Sequence, residues 1–258
     1  MDTEPLVKRA AAHGTVTLTL NRPQAFNALS EGMLSALQRE LDALSADQSL
    51  RVVVLAAAGR AFCAGHDLKE MRAQPSLEYY RRLFAQCSRL MLSLRRLPVP
   101  VIARVQGIAT AAGCQLVAQC DLAVAASDAR FAVSGVNLGL FCSAPGVPLA
   151  RNVARKQAFE MLVTGDFIDA ATALARGLVN RVVEPHALDA EVTRLASAIA
   201  AKPRVAIAMG KELFYRQVEL GLEPAYEVAG ETMACNMMDE SALEGVEAFI
   251  EKRAPRWA

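Results

Sequence analysis

The sequence predicts an α/β fold that ends in a wholly helical region. Two largely apolar segments, residues 51–56 with the continuous run Val52–Leu55 and residues Val101–Val105, have the composition of strands that are buried on both faces of a sheet. Each run is followed by glycine and small residues and then by a helical pattern, so strand, loop and helix alternate through about Val183. Beyond Pro185 the pattern is helical throughout. This order favours stacked ββα or βαβ units followed by a helical region.

Local signals place the individual elements. An early strand at residues 16–20 ends in Asn21-Arg22-Pro23, and Ser30 has the residue type of a helix N-cap. Apolar residues recur behind it at helical spacing: Met33, Leu34, Leu37, Leu41 and Leu44. A longer helix is predicted near Leu77–Arg96, before two prolines. The other predicted elements are a short helix near residues 114–119, a strand at 121–125, and helices near 187–200, 204–215, 222–236 and 243–252.

Length and composition favour one large folded domain, or one domain with a small appendage. The chain has 258 residues, of which 53% are hydrophobic and 21% charged, and this balance supports a packed core and argues against disorder. The net charge of +1 provides no extended positive field, so nucleic-acid binding is disfavoured as a main role. An anionic ligand must therefore be held by a few local groups.

The sequence carries no clear signal for membrane insertion, secretion or metal binding. No apolar run reaches the roughly 18–20 residues that a membrane span needs, and the first residues include acids without an apolar core segment. The six cysteines form no C-x-x-C pair and there are three histidines, which disfavours a zinc site and favours reduced thiols. We therefore expect a cytoplasmic protein with no membrane span and no metal.

Two loops have the features of backbone anion sites. In the first, Asp67 followed by Glu70 has capping-box spacing, with Asp in place of the usual Ser or Thr, so a helix should begin there. The tight turn before it, Cys63-Ala64-Gly65-His66, would leave main-chain N–H groups pointing outward. In the second, residues 110–114 are small, follow a buried strand and open a helix, where unpaired N–H groups and the helix dipole favour negative charge.

Either loop alone is an ordinary strand-to-helix turn. Together they are about 45 residues apart and each follows a buried strand, which favours two N–H donors that converge on one oxygen. Acyl-thioester chemistry needs such an oxyanion hole, because an enolate or a tetrahedral oxyanion must be stabilised.

Five motifs in chain order resemble those of the enoyl-CoA hydratase/isomerase (crotonase) family, and they cover nearly the whole chain. The first two are Leu20-Asn21-Arg22-Pro23 with Asn27-Ala28-Leu29-Ser30, and the loop at residues 61–70. The others lie at residues 106–121, 138–146 and 164–179. Residues 111–116 and 141–146 are similar to one subgroup of the family, enoyl-CoA hydratase domain-containing protein 3.

The resemblance implies a crotonase-type spiral of ββα units over residues 1–195 and a helical region over 196–258 that builds homotrimers or dimers of trimers. It implies that the N–H groups of His66 and Ala112 form the oxyanion hole, while Gly113 permits close backbone approach. CoA would enter as part of an acyl-CoA substrate, and no other cofactor is implied. The residues expected to line the CoA site are Ala28, Leu29, Ala64, Gly65, His66, Asp67 and Leu68. Candidates for binding its phosphates are Arg22, Lys69 and Lys252, which are otherwise solvated surface charges.

Two positions depart from the family pattern. Enoyl-CoA hydratases of this family add water with two glutamates, and the matching positions here are Gln115 and Gly135. Neither residue exchanges a proton, because an amide has no accessible pKa and glycine has no side chain. One positioned acid or base typically contributes about 10²–10⁴-fold to the rate. The sequence therefore predicts thioester binding with impaired hydration.

Nearby groups are candidates to replace the carboxylates. The His66 imidazole is a candidate acid, base or orienting donor, unless only its backbone acts. Cys142 and Ser143 lie where some family members place an acidic group, although a buried cysteine is more often a small hydrophobe. Gln115 is expected either to hold a water or a substrate carbonyl, or to pack. Structural roles are expected for Asp67, Cys114 and Asp121.

Several classes of function are compatible with these features to different degrees. One is an acyl-CoA lyase, isomerase or thioester hydrolase that uses the oxyanion hole without glutamate; another is a protein that binds fatty acyl-CoA with little or no turnover. A serine protease is disfavoured because His13, His66 and His186 follow no serine-bearing motif in the required order. A dinucleotide-binding fold is disfavoured because no G-x-G-x-x-G follows a strand. We expect an enoyl-CoA hydratase-like protein that acts on fatty acyl-CoA.

Overall fold

The fold is built from nine strands and eleven α-helices within residues 4–73 and 75–257, the part of the chain that the computed structural model describes. The strands are β1 Val7–Ala12, β2 Thr15–Leu20, β3 Val52–Ala57, β4 Val101–Val105, β5 Ile108–Thr110, β6 Leu122–Ala126, β7 Arg130–Ala132, β8 Ile168–Asp169 and β9 Arg181–Val183. The helices are α1 Glu31–Ser45, α2 Leu68–Ala73, α3 Leu77–Arg96, α4 Ala112–Gln119, α5 Ser143–Asn152, α6 Arg155–Thr164, α7 Ala170–Ala175, α8 Leu188–Ala200, α9 Arg204–Gln217, α10 Leu222–Met237 and α11 Glu240–Ile250.

Two sheets organise these elements. The larger has the strand order β1-β2-β3-β4-β6-β9, in which the pairs are parallel except for β1 with β2. The smaller has the order β5-β7-β8, with β5 parallel to β7 and β7 antiparallel to β8. Because parallel strands require crossover connections, the chain runs through helices on the faces of the sheet. The predicted α/β spiral with C-terminal helices is confirmed.

Burial explains which strands the sequence predicts. All six residues of β3 are buried, as its continuous apolar run indicates. β2 alternates, with Val16, Leu18 and Leu20 buried and the threonines between them partly exposed. β1 was not predicted. It is the edge strand of the large sheet, and only its first residue is buried. An edge strand of this kind has no alternation of apolar and polar residues that would predict it.

Helix caps and apolar faces form where the sequence predicts them. The Ser30 hydroxyl accepts a hydrogen bond from the Met33 amide at 3.1 Å, and the five predicted apolar residues of α1 are buried. α3 has the predicted bounds, and Ser76 caps its first turn. α4 begins two residues earlier than predicted, at Ala112, because the chain turns sharply at Ala111.

The C-terminal region contains the four predicted helices, α8 to α11. α11 begins at Glu240, earlier than predicted, because the Asp239 carboxylate caps it by accepting a hydrogen bond from the Ser241 amide at 3.0 Å. The domain boundary predicted at residue 195 falls inside α8, whose buried residues Leu188, Val192 and Ala196 belong to a cluster on the large sheet. The division into two functional regions stays a prediction.

A buried ion pair joins the helical region to the strand core. The Lys211 ammonium on α9, with a side chain that is 7% exposed, lies 2.7 Å from Asp121 and donates to the carbonyls of Leu94 and Val99. The other carboxylate oxygen of Asp121 accepts from the Tyr215 hydroxyl at 2.7 Å. Asp121 also accepts from a backbone amide of β4, as the structural role predicted for it requires. Among the described residues, no helix has the length and hydropathy to cross a membrane.

Candidate active site

The first predicted anion loop is held by a short parallel bridge between Leu29 and His66. The Leu29 amide donates to the Gly65 carbonyl at 2.8 Å, and the Asp67 amide donates to the Leu29 carbonyl at 3.3 Å. In such a bridge the residues that flank His66 make the hydrogen bonds. The His66 N–H therefore points away from Leu29, and in the described part of the chain it has no hydrogen-bond partner.

The second loop ends in a strained residue at the start of α4. Ala111 has φ +50° and ψ −118°, a combination that costs a non-glycine residue about 1–3 kcal/mol. Its own amide is bonded to the Ala132 carbonyl at 2.9 Å. The next amide, that of Ala112, is the first N–H of α4 and is unpaired within the described residues. Both predicted donors are therefore available to a ligand.

The two loops are in direct contact. A Cβ atom added to Gly65, which has φ +95°, would lie 3.3 Å from the Ala112 nitrogen. A Cβ atom added to Gly113 would lie 2.0 Å from the Cys63 carbonyl oxygen, which matches the close backbone approach predicted for Gly113. The sequence therefore places glycine at the two points where the loops touch, next to His66 in the first loop and next to Ala112 in the second.

A cavity of about 380 Å³ begins at these loops. The predicted site residues in its wall are Ala64, His66, Leu68, Ala112, Cys142 and Ser143. Gly135, one of the two positions that match the family's glutamates, also lines the wall. The lining residues without a predicted role are Met71, Phe84, Ala111, Ser134, Leu138, Leu140, Phe141, Ala144 and Pro145. The wall is largely apolar, and within the described range it contains no Asp, Glu, Lys or Arg.

The unassigned wall residues explain what sequence reasoning could and could not find. Phe84 lies on the long helix α3, distant in sequence from both loops, whereas Met71 lies within α2, directly after the first loop motif. Leu138, Leu140 and Phe141 fall in the fourth family motif and remain 45–69% exposed, and a contiguous group of exposed apolar side chains is typical of a ligand-binding groove. That exposure only becomes visible in three dimensions.

The His66 side chain forms one side of the cavity. Its ring packs edge-on against Phe84, with the ring centroids 5.6 Å apart and the planes at 67°. Its Nδ1 atom is buried and has no hydrogen-bond partner among the described residues. Burial lowers the pKa of His66 below its usual 6.5, and the Leu29 carbonyl offsets only part of this effect. The imidazole is therefore neutral at pH 7.

This lowered pKa makes a testable contribution to pH-dependent stability. The folded protein binds a proton at His66 less readily than the unfolded chain, so the free energy of unfolding should fall as the pH drops through 6.5 and level off below the folded pKa. Denaturant titrations between pH 8 and pH 5 should show a smaller loss for His66→Gln than for the parent. An NMR titration that placed the His66 pKa above 6.5 would contradict this assignment.

The segment from Gly135 to Cys142 closes the position of one missing glutamate. A Cβ atom on Gly135 would lie 2.4 Å from the Leu140 carbonyl oxygen and 2.7 Å from the Cys142 sulfur. The Gly135 amide donates to that sulfur at 3.3 Å. Burial raises the pKa of the Cys142 thiol, and the hydrogen bond from Gly135 only partly opposes this. The thiol is therefore a packed, protonated group rather than an activated nucleophile.

Ser143 and Gln115 differ in their relation to the cavity. Ser143 lines the wall and is exposed, and its hydroxyl donates a long hydrogen bond to the Phe141 carbonyl at 3.4 Å. Gln115 is 4% exposed in α4, and its Oε1 atom is buried without a partner among the described residues. Gln115 is not among the residues that line the cavity. The two positions that match the family's glutamates, Gln115 and Gly135, therefore do not both present a polar side chain to the cavity.

The charged residues predicted to bind CoA lie outside the cavity wall and differ in their surroundings. The Arg22 guanidinium is paired with Asp67 at 2.6 Å. Asp67 also caps α2 by accepting from the Lys69 and Glu70 amides at 3.0 and 3.2 Å. Burial raises the pKa of Asp67, but the hydrogen bond and charge of Arg22 and the amides of Glu70 and Lys69 together outweigh it, so the net shift is downward. Lys69 and Lys252 are exposed, whereas Ala28 and Leu29 are buried behind the first loop.

One detail of the predicted capping box is wrong. The Asp67 half forms, but the Glu70 carboxylate accepts from the Glu31 amide at 2.9 Å instead of reaching back to Asp67. This tertiary hydrogen bond joins α2 to the start of α1. The Glu70 carboxylate therefore bonds to an amide that is distant in sequence and not to the amide of its own capping residue. Within residues 4–73 and 75–257, no group of three or more His, Cys, Asp or Glu side chains is arranged to hold a metal ion.

Comparison with known sequences shows the family. The model of the enoyl-CoA hydratase/isomerase family matches residues 10–258. A protein of Xenopus laevis named enoyl-CoA hydratase domain-containing protein 3, mitochondrial, is 46% identical over 253 residues, which cover 98% of this chain and 86% of that protein. The human protein of the same name is 44% identical over 245 residues, which cover 95% of this chain and 81% of that protein.

The names of these relatives contradict the cytoplasmic location expected from the sequence. The frog, rat, mouse, human and zebrafish proteins are all named as mitochondrial. The expectation rested on the N-terminal residues, on the lack of a long apolar run and on cysteine usage. Location is instead decided by targeting segments, which are recognised by receptors and lie apart from the fold. The cytoplasmic assignment was therefore wrong.

Solved structures agree with the sequence comparison. The crystal structure of an enoyl-CoA hydratase from Mycobacterium smegmatis superimposes with a TM-score of 0.97 at 68% identity, covering 98% of this chain and 99% of that one. The crystal structure of human enoyl-CoA hydratase domain-containing protein 3 gives a TM-score of 0.95 at 43% identity, covering 98% and 100%. The resemblance found in the five motifs is confirmed, and the chain belongs to the enoyl-CoA hydratase/isomerase family.

Proposed function

We propose that this protein binds fatty acyl-CoA thioesters and polarises the thioester carbonyl with the N–H groups of His66 and Ala112. The observation that carries the proposal is the pair of unpaired amides on two touching loops at the wall of an apolar cavity. Two fixed donors stabilise an enolate or a tetrahedral oxyanion without reorganising. The Ala112 amide adds the positive end of the α4 dipole.

The apolar wall supports the same role. A cavity without Asp, Glu, Lys or Arg in its described wall has a low local dielectric, which strengthens hydrogen bonds to a developing negative charge. Leu68, Leu138, Leu140 and Phe141 offer the acyl chain apolar contact. A fatty acyl group fits this lining better than an acyl group that carries a free carboxylate, since the described wall contains no cation to pair with it.

The proposal includes hydratase-like binding but not efficient hydration. Hydration needs one group to deprotonate water and another to protonate carbon. At the two matching positions Gln115 lies outside the cavity wall and Gly135 is packed against the Leu140 carbonyl. The described wall thus contains the two amide donors but no carboxylate. The rate of hydration should therefore be compared with that of a relative that has both glutamates.

For the CoA moiety, the exposed ammonium groups of Lys69 and Lys252 are better candidates for the phosphates than Arg22. Arg22 is already paired with Asp67, and separating that pair would leave a carboxylate unpaired beside the first loop. Lys69 follows directly on that loop, at the second residue of α2. We therefore assign Arg22 to the loop and Lys69 and Lys252 to the nucleotide end of CoA.

The C-terminal helices support assembly into homotrimers or dimers of trimers. Large apolar side chains on them and at the turn between α10 and α11 remain 59–85% exposed: Phe214, Leu222, Tyr226, Met233, Met238, Phe249 and Ile250. An apolar surface of this extent is characteristic of subunit contacts. Sedimentation equilibrium measures the assembly directly, and a monomer at micromolar concentration would contradict it.

A second candidate activity is isomerisation of an enoyl-CoA double bond. The observation that favours it is the His66 imidazole at the cavity wall, whose buried Nδ1 has no hydrogen-bond partner among the described residues. A single base can take a proton from the carbon beside the polarised carbonyl and return it to a carbon further along the chain. Thioester hydrolysis through Cys142 is less favoured, because burial keeps that thiol protonated.

A proline substitution tests the proposed carbonyl polarisation. Ala112→Pro removes the second donor at the first position of α4, where proline is well tolerated in helices. Removing one such donor should lower any turnover by about 10²–10³-fold. It should also abolish the shift to longer wavelength that a conjugated thioester such as cinnamoyl-CoA undergoes when its carbonyl is polarised.

Calorimetry with butyryl-CoA supplies the companion measurement. The parent protein should show saturable binding of the thioester, and Ala112→Pro should bind more weakly while keeping the helical circular dichroism of the parent. Ala112→Gly, which keeps the N–H, is the matched control and should retain the spectral shift. The proposal fails if the parent binds no thioester, or if the proline variant polarises cinnamoyl-CoA as the parent does.

A further inference from the structure

Asn27 is a fully buried polar residue directly behind the first loop, and its side chain is 0% exposed. Its Nδ2 donates to the carbonyls of Ala58 and Ala61 at 2.8 and 2.9 Å. Its Oδ1 accepts from the Arg22 amide at 2.9 Å. The carboxamide therefore satisfies two carbonyls and one amide from two separate segments of the chain.

These hydrogen bonds join the ends of two neighbouring strands. Arg22 follows β2, and Ala58 and Ala61 follow β3, so the Asn27 side chain fixes the turn after one strand against the loop after the other. Asn27 itself has φ +55°, a left-handed conformation that asparagine tolerates better than most residues. The turn and the side chain are thus set by the same residue.

The residues on either side of Asn27 hold the loop that presents His66. The Phe26 carbonyl accepts from the Ala64 amide at 3.0 Å. Leu29 forms the bridge to His66 described above. A shift of the turn at Asn27 would therefore move both anchors, and the direction of the His66 N–H would move with them.

We propose that Asn27 is a positioning residue for the oxyanion hole, which acts by fixing the direction of the His66 N–H. The inference rests on the proposed function, because it assumes that this N–H meets a thioester carbonyl. Asn27 is not among the residues that line the cavity. Its removal should therefore weaken polarisation of a bound carbonyl far more than it weakens binding of the CoA moiety.

Two substitutions separate the side chain from the backbone. Asn27→Gly removes the carboxamide while retaining the left-handed turn, because glycine adopts φ +55° without strain. Asn27→Asp keeps the size and the acceptor for the Arg22 amide, but replaces the two donors by an acceptor that faces the carbonyls of Ala58 and Ala61. Asn152→Asp is a matched control, since Asn152 also donates to two carbonyls, both at 2.8 Å, away from the loop.

The experiment measures two properties of the complex with cinnamoyl-CoA. Calorimetry gives the dissociation constant, and the absorption maximum of the bound chromophore reports carbonyl polarisation. Both Asn27 variants should lose more than half of the spectral shift while the dissociation constant changes by less than about 10-fold, a factor worth about 1.4 kcal/mol. Asn152→Asp should retain the full shift, although its thermal midpoint falls.

The outcomes distinguish failure of this inference from failure of the proposed function. If the parent protein binds cinnamoyl-CoA without a spectral shift, the oxyanion hole itself is refuted. If the parent shows the shift and Asn27→Gly retains it in full, Asn27 is a structural residue only and the inference is overturned. If Asn27→Asp does not fold, Asn27→Gly still decides the question.

Discussion

Hydration of crotonyl-CoA by this protein should be at least about 10⁴-fold slower than hydration by a family member with glutamates at both matching positions. Each positioned acid or base typically contributes about 10²–10⁴-fold, and this chain has Gln115 and Gly135 instead. The measurement is the loss of enoyl absorbance under saturating substrate, with both proteins at equal active-site concentration. Turnover within 10-fold of the two-glutamate relative would show that another group carries the chemistry.

Restoring one glutamate should not rescue the reaction. In Gly135→Glu the new Cβ atom would meet the Leu140 carbonyl oxygen at 2.4 Å and the Cys142 sulfur at 2.7 Å, so the segment must shift before the carboxylate can enter the cavity. Gly135→Ala alone should already destabilise the protein, by about 1–3 kcal/mol for an overpacked site.

A glycine in open surroundings supplies the control for this substitution. Nothing lies within 4 Å of a Cβ atom on Gly210, which is in α9. Gly210→Ala should therefore be neutral or stabilising by up to about 1 kcal/mol, as for glycine in a helix interior. Gly135→Glu that folds as stably as the parent and hydrates crotonyl-CoA rapidly would show that the segment from 135 to 142 is not a barrier.

Breaking the buried ion pair of Lys211 should lower the free energy of unfolding by about 3–5 kcal/mol. In Lys211→Met, Asp121 keeps its carboxylate in an environment where its side chain is 12% exposed, and the charge loses its partner at 2.7 Å. Denaturant titration of the parent and the variant measures the change. Because Lys211 also satisfies the carbonyls of Leu94 and Val99, those acceptors lose their donor as well.

Two further variants separate the charge effect from the loss of a side chain. Lys211→Met combined with Asp121→Asn removes both charges and should recover part of the stability, since a neutral amide no longer needs a counter-ion. Arg82→Ala removes an exposed ion pair between Arg82 and Glu78, in which the Arg82 side chain is 60% and the Glu78 side chain 84% exposed. It should change the free energy of unfolding by about 0–1 kcal/mol. Equal losses for Lys211→Met and Arg82→Ala would contradict the account of the buried pair.

Much of the fold follows from the sequence because burial and capping are written into local patterns. The apolar runs of β3 and β4 predict strands that are covered on both faces, and Ser30 predicts the start of α1. By contrast, β1 lies at an exposed edge, and its VKRAAA sequence has no alternation to indicate a strand. Its place is set by pairing with β2, which is a tertiary interaction.

In the candidate site, too, the features that depend on local sequence could be predicted and those that depend on tertiary contacts could not. Gly113 is predicted to permit close backbone approach, and a Cβ atom there would lie 2.0 Å from the Cys63 carbonyl oxygen; the contact of Gly65 with the Ala112 nitrogen was not predicted. The lack of space for a side chain at Gly135 could not be predicted, because it depends on where the Leu140 carbonyl and the Cys142 sulfur lie after folding. Likewise, nothing local indicates that Arg22 pairs with Asp67, 45 residues away, instead of remaining free for a phosphate.

The most direct test is a crystal structure with a bound, slowly reacting acyl-CoA thioester. The thioester carbonyl oxygen should lie about 2.7–3.1 Å from both the His66 and the Ala112 nitrogens, the distance range of a working oxyanion hole. The acyl chain should extend past Phe84 into the apolar cavity. A carbonyl oxygen beyond hydrogen-bond distance of either nitrogen, or a thioester bound outside this cavity, would contradict the account.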